Sequence, residues 1–227
     1  MIPLRDTVPT RTFPIVNYTI IFLNILVFLF EVSLGPHLRE FIATWAVVPV
    51  RILSWHQHPW VLVTLITAQF LHGGWVHVGG NMLYLWIFGD NVEEEMGHIR
   101  YLLFYLFGGI MASMAQIFFN PHSSIPTLGA SGAIAAVLGA YLVYFPRGGV
   151  TVVLPLLFYF EIVTLPAVLV LGTWFLEQLL NGTLSISTGA AVTGGVAWWA
   201  HVGGFTTGLI LGPMFRRRRH SPPSLWY

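Results

Sequence analysis

Apolar runs of about twenty residues recur along this chain, several with one charge or none. A helix at 1.5 Å per residue needs about 20 such residues to cross a hydrocarbon core about 30 Å thick. Only 8% of the 227 residues are charged, against about 25% in a soluble domain, too few to clothe a water-facing surface. One integral membrane domain follows. Nine Trp suit anchors at the lipid–water boundary.

Punctuation places the runs. The first, 15–34, stops at Gly35-Pro36, and its length and lack of a small-residue cleavage site predict an uncleaved helix. The second covers 75–95. The third, 99–119, stops at Asn120-Pro121, and the fourth begins near Ser131 and ends before Pro146-Arg147. The segment 150–180 is broken by Pro155, Glu161 and Pro166, so a fifth helix is placed at 165–180 with a loop before it. The sixth covers 193–215. The expected fold is all-α: a six-helix membrane domain over 15–215, a cytosolic segment 1–14 and a basic cytosolic tail 216–227. The long connection 35–74 holds Trp45, Trp55, Trp60, His56, His58 and His72 among apolar residues and reads as an interfacial, membrane-dipping segment.

With the N-terminus cytosolic, Arg5, Arg11, Arg100, Arg147 and Arg216 to Arg219 lie inside, and only Arg39 and Arg51 outside. The positive-inside rule favours that orientation in a cell membrane. The run Arg216 to Arg219 reads as a juxtamembrane anchor for anionic lipid rather than a nucleic-acid site. With no cysteine, thiol catalysis and Cys-ligated metal are excluded, and His56, His58 and His72 lack a converging metal pattern. Neither a metal nor a cofactor is expected. Glu93, Glu94 and Glu95 read as a solvated helix end. Nothing specifies self-assembly.

Polar side chains inside spans are costly and are functional candidates by default. Three helices carry them: His77 and Asn81 on the second, Ser131 on the fourth and His201 on the sixth. Ser131 precedes Phe145, and His201 precedes Phe215, by the same 14 residues, which puts both about 21 Å from the inner boundary. Asn81 precedes Glu94 by 13 residues, about 20 Å by the same rise, and shares a helix face with His77 four residues earlier. The fourth helix is too short to span the core alone. Its N-terminus, with Ser131, is expected below the outer surface in an outward-opening polar cavity, where unpaired N–H groups suit an oxyanion. Gly132, Ala133, Ala135, Ala136, Gly139 and Ala140 face a Gly204-x-x-x-Gly208 pattern that permits tight helix contact. The physical reading is a Ser131 nucleophile with His201 as general base, and the Ser131 backbone N–H, His77 and Asn81 holding the oxyanion.

His77-Val78-Gly79-Gly80-Asn81, Gly129-Ala130-Ser131-Gly132 and Ala200-His201-Val202-Gly203-Gly204, in that order, resemble the rhomboid intramembrane serine proteases. The resemblance implies a six-helix bundle and a cofactor-free Ser131–His201 dyad without an acid partner. It further implies oxyanion assistance from His77 and Asn81, a structural role for Glu93, and helices of other membrane proteins as substrates. Two positions depart from the pattern. Trp60 is followed by Val61 where members often have arginine, and Ala135 stands where some place an aromatic on the histidine, which leaves Trp198 or Trp199 to orient the imidazole. The alternatives are a non-catalytic relative that binds membrane clients and a transporter using His77 and His201 as a proton relay; no inverted repeat supports the latter.

Overall fold

The computed structural model describes residues 1–156, 159–187 and 196–217. Helix α1 (Ile15–Ser33) leads into a segment of short helices, α2 (Leu38–Trp45), α3 (Pro49–Leu53) and α4 (Thr64–Thr67). A π-turn at Leu85–Gly89 joins α5 (Trp75–Tyr84) to α6 (Asp90–Met96), and α7 (His98–Phe119) and α8 (Ser131–Tyr144) follow. Two strands precede α9 (Ala167–Ser187), and α10 (Trp198–Phe215) comes last.

Among the described residues, three helices are long and apolar enough to cross a membrane: Ile15–Ser33, His98–Phe119 and Ala167–Ile186. A fourth crossing forms if Pro59–Phe70 and Trp75–Met96, bent by 80° at their junction, count as one. Helix α8 has 14 residues, about 21 Å, and is buried continuously from Gly132 to Tyr141. It is the axis of the core. Residues 188–195, into which the sixth helix was expected to extend, lie outside the described residues, as do Arg218 and Arg219.

The fold is not wholly helical. Strands β2 (Gly149–Leu156) and β3 (Tyr159–Pro166) pair antiparallel where a loop was expected, and β1 (Ile2–Asp6) adds to β2 with Ile2 opposite Val153 and Asp6 opposite Val150. Pro155 and Pro166 suggested a break, but both lie towards strand ends, where a missing N–H is tolerated. Val150, Thr151, Val152, Val153, Ile162, Val163 and Thr164 are β-branched and fit a pleated surface. Tyr141 Oη donates to Asp6 Oδ2 at 2.7 Å, tying the sheet to α8.

The acidic end of α6 is buried rather than solvated. Glu93 is 1% exposed, and its carboxylate accepts the N–H groups of Val16 at 3.0 Å and Asn17 at 2.7 Å. It therefore caps α1, which has no side-chain cap of its own, with negative charge at the positive end of the helix. Glu95 is also buried and pairs with Arg216 at 2.8 Å. Polar residues in α1 complete the seam. Asn17 Nδ2 donates to Leu85 O at 2.9 Å, Tyr101 Oη donates to Asn17 Oδ1 at 2.8 Å, and Glu31 accepts the His72 N–H. The expectation that only three helices carry such groups was too narrow.

The segment before α5 fixes the approach to Ser131. Val47 and Thr127 exchange N–H to O bonds of 3.0 and 2.7 Å, and the Gly129 N–H donates to Ala68 O at 2.8 Å. Val61 is buried with Val47, Ile52, Ala68 and Ile117. This apolar cluster anchors the segment where the resemblance led one to look for arginine.

Candidate active site

Helices α8 and α10 meet backbone to backbone. A Cβ on Gly204 would strike the Gly132 carbonyl, and one on Gly208 would strike that of Ala136. Across the seam, a Cβ on Gly139 would meet the Phe205 carbonyl and lie 3.0 Å from the Gly208 Cα. Removing side chains on both faces lets the helix axes approach far more closely than larger residues permit. The same contact explains Ala135, which is fully buried with its Cβ 3.1 Å from a Cβ placed on Gly204. An aromatic has no room there.

That approach brings Ser131, at the start of α8, to His201 on α10. Ser131 Oγ lies 2.9 Å from His201 Nε2 across 70 residues of sequence, and both side chains are partly exposed. The other ring nitrogen, Nδ1, lies 2.8 Å from Oε1 of Gln178 on α9. Trp174, one turn earlier on the same helix, holds its ring 5.8 Å from the imidazole at 32°. The expected substitutes behave differently. Trp198 meets His201 only edge-on at 6.4 Å, and Trp199 stacks on Phe119 at 3.6 Å while its Nε1 donates to Gly182 O. Sequence reasoning missed Gln178. Gln178 follows Glu177 and precedes Asn181 by three in an otherwise largely apolar helix, and that was the available signal, because a span rarely buries an amide without a partner.

His77 borders the same point. Its Nδ1 accepts the Gly73 N–H at 3.2 Å, and its ring packs on the His72 ring at 5.1 Å. Gly129 lies between, because a Cβ there would stand 2.8 Å from His77 Nε2 and 3.6 Å from Ser131 Oγ. Gly129 also has φ of +126°, in the left-handed region that disfavours a side chain. Two separate constraints therefore demand glycine beside the serine. Asn81 is buried, and its Nδ2 is a donor with no hydrogen-bond partner.

The first helical bond of α8 runs from the Ile134 N–H to Ala130 O, so the Ser131, Gly132 and Ala133 N–H groups precede the ladder. A cavity of about 20 Å³ lies against Ser131 and Gly132, lined also by Gln69, Thr127 and Ala200, with room for one water. A wider one of about 160 Å³ opens beside His77, Leu128, Gln116 and Ala197. Gln116 Oε1 accepts the Ala200 N–H at 3.3 Å and steadies the first turn of α10 just before His201. Of the loop histidines, His72 is buried while His56 and His58 are exposed, so the three do not converge.

The sequence profile of the Rhomboid domain matches residues 59–218. Curated relatives agree. The chain is 38% identical over 130 residues to Rhomboid protease GluP of Bacillus subtilis (strain 168), which takes in 57% of this chain and 24% of that protein. It is 31% identical over 157 residues to RHOMBOID-like protein 4 of Arabidopsis thaliana, with 69% and 34% covered. It is 29% identical over 155 residues to Rhomboid protein 1, mitochondrial, of Saccharomyces cerevisiae, with 66% and 41% covered. The chain thus spans less than half the length of each. With a family profile over most of its length and a helix bundle built around apolar spans, this chain belongs to the rhomboid family.

Proposed function

We propose that the protein is an intramembrane serine endopeptidase that cleaves transmembrane or juxtamembrane segments of membrane proteins, with Ser131 as nucleophile and His201 as general base. The observation that carries this reading is the 2.9 Å approach of Ser131 Oγ to His201 Nε2, inside a helix seam too tight to form by accident of side-chain packing. His201 takes the hydroxyl proton as Oγ adds to the scissile carbonyl carbon, and returns it to the leaving amide nitrogen. Water then hydrolyses the ester, and the 20 Å³ cavity beside Ser131 is a natural place for that water. The Ser131 N–H and the side chains of His77 and Asn81 hold the oxyanion. The Asn81 Nδ2, buried without a hydrogen-bond partner one turn along α5 from His77, supports that role, since such a donor is free for charge that appears only in the transition state.

Six crossings then complete the domain over 15–215, with α8 and α10 as the fourth and sixth. The segment 1–14 and the tail from 216 lie on the cytosolic side of a cell membrane, as the arginine bias favours. No cofactor takes part. Substrates must unwind at the cut, because a helix occupies its own carbonyls in hydrogen bonds. Cleavage of a transmembrane reporter by the protein in phospholipid vesicles tests the reading. Ser131→Ala and His201→Ala are each expected to lower kcat/KM by at least about 10³-fold. Wild-type cleavage in either variant would sink it, and client binding without cleavage by the wild type would favour the non-catalytic alternative.

A further inference from the structure

Gln178 sits on α9, outside the helix pair that carries the serine and the histidine, and it is 3% exposed. Each polar atom of its amide has a partner. Nε2 donates to the Trp174 carbonyl one turn back at 3.1 Å, and Oε1 faces His201 Nδ1 at 2.8 Å. A backbone carbonyl can only accept, so it fixes which end of the amide faces it. The end facing the imidazole is then the oxygen, which also can only accept. His201 must therefore carry its proton on Nδ1, and its Nε2 is left as a bare lone pair 2.9 Å from the Ser131 hydroxyl.

We propose that Gln178 is a positioning residue for His201, holding the imidazole in the one neutral tautomer that can accept the Ser131 proton. The assignment rests on the peptidase reading above and deepens it. An amide is neutral, so Gln178 supplies direction and tautomer rather than a charge to stabilise imidazolium, unlike the carboxylate of a three-member serine site. A glutamine that only satisfied itself within α9 would need the Trp174 bond alone and would leave Oε1 buried and empty. Trp174, four residues earlier and on the same face, limits the tilt of the ring. Together they do from α9 what an aromatic at position 135 cannot do from α8.

The test uses the full chain in phospholipid vesicles. It measures steady-state cleavage of a transmembrane reporter and the rate at which a fluorophosphonate labels Ser131. Gln178→Met keeps length and volume but removes the acceptor. It is expected to lower kcat and the labelling rate about ten- to a hundredfold while KM stays within about twofold. Gln178→Glu restores an oxygen at the same position and is expected to recover both rates to within about fivefold of wild type. Where Gln178→Met does not fold, Gln178→Asn takes its place, since it keeps the amide but draws the acceptor back by one methylene, with the same expected loss. Wild-type labelling by Gln178→Met, or a Gln178→Glu protein as slow as Gln178→Met, overturns the assignment and leaves the peptidase reading standing. A wild-type chain that neither cleaves nor labels at Ser131 brings down both.

Discussion

Two of the neighbours of helix α10, α8 and α9, hold it in opposite ways. Against α8 it offers glycines and touches bare backbone, so the spacing is set by hard atomic contact. Against α9 it offers Phe205, which stacks on Phe175 at 4.8 Å and lies 5.9 Å from Trp174, along with the His201–Gln178 bond. Side chains have rotamers and backbone does not. The first seam can therefore fix a distance, here between Ser131 and His201, and the second can only fix a direction, here that of the imidazole. A substitution in the first seam is expected to cost the fold, and one in the second to cost only rate.

The sharpest way to break this contrast is to place the same kind of change on both sides. Gly208→Val drives a methyl-bearing carbon into the Ala136 carbonyl and to within 2.9 Å of the Ala140 nitrogen. It is expected to cost more than about 3 kcal/mol and to leave little folded protein in a thermal melt of the detergent-solubilised chain. Gly182→Val on α9, where the atoms nearest a Cβ belong to the side chains of Trp199 at 3.1 Å and Trp198 at 3.5 Å, is expected to lower the melting temperature by only a few degrees, because side chains can shift where backbone cannot. Equal losses at both positions would erase the distinction.

Side-chain seams elsewhere should cost intermediate amounts. Glu93→Ala leaves the Val16 and Asn17 N–H groups at the start of α1 without their acceptor. About 1–3 kcal/mol is expected, read as a lower melting temperature that Glu93→Gln partly recovers. The smallest effect belongs to the sheet. Burial pushes the Asp6 carboxyl up from its ordinary range near 4 to about 6, with Asp90 adding to the rise and the Tyr141 hydroxyl opposing it. Between those values the folded chain keeps a proton that the unfolded chain has released, so stability falls as pH rises through the window and the penalty is complete above it. Asp6→Asn is therefore expected to melt about 2 °C above wild type at pH 7.5 and level with it near pH 4, the gain kept small because Asp6 is only partly buried. A gap that widens towards acid would reverse the sign of this assignment.

The sequence was most legible where spacing alone carries information. Counting residues along helices set Ser131 and His201 at one level, and the glycine pattern at 204 and 208 marked the seam that joins them. Gln178 was illegible for a different reason. Its partner lies on another helix, and which way an amide faces on α9 depends on a helix rotation that the polar residues Thr173, Glu177 and Asn181 around it do not settle. The sheet was hidden by its own punctuation, because prolines near strand ends outweighed a β-branched stretch. From the residues alone, Glu93 was masked by its two acidic neighbours and read as part of a solvated cluster; the structural role came only from the family resemblance, and the structure shows that role as the cap of α1.

The pairing of Ile2–Asp6 with Val150–Val153 has a consequence for how the molecule is made. The first strand to leave the ribosome cannot find its partner until nearly 150 further residues, those of α1, α7 and α8 among them, have been synthesised. Closure of the sheet is thus a late event in biogenesis. It reports on the same α8 that carries Ser131, since Asp6 is held by Tyr141, three turns down that helix. Until residues 149–156 are made, the first strand has no sheet to join, and its backbone groups must find their hydrogen bonds elsewhere.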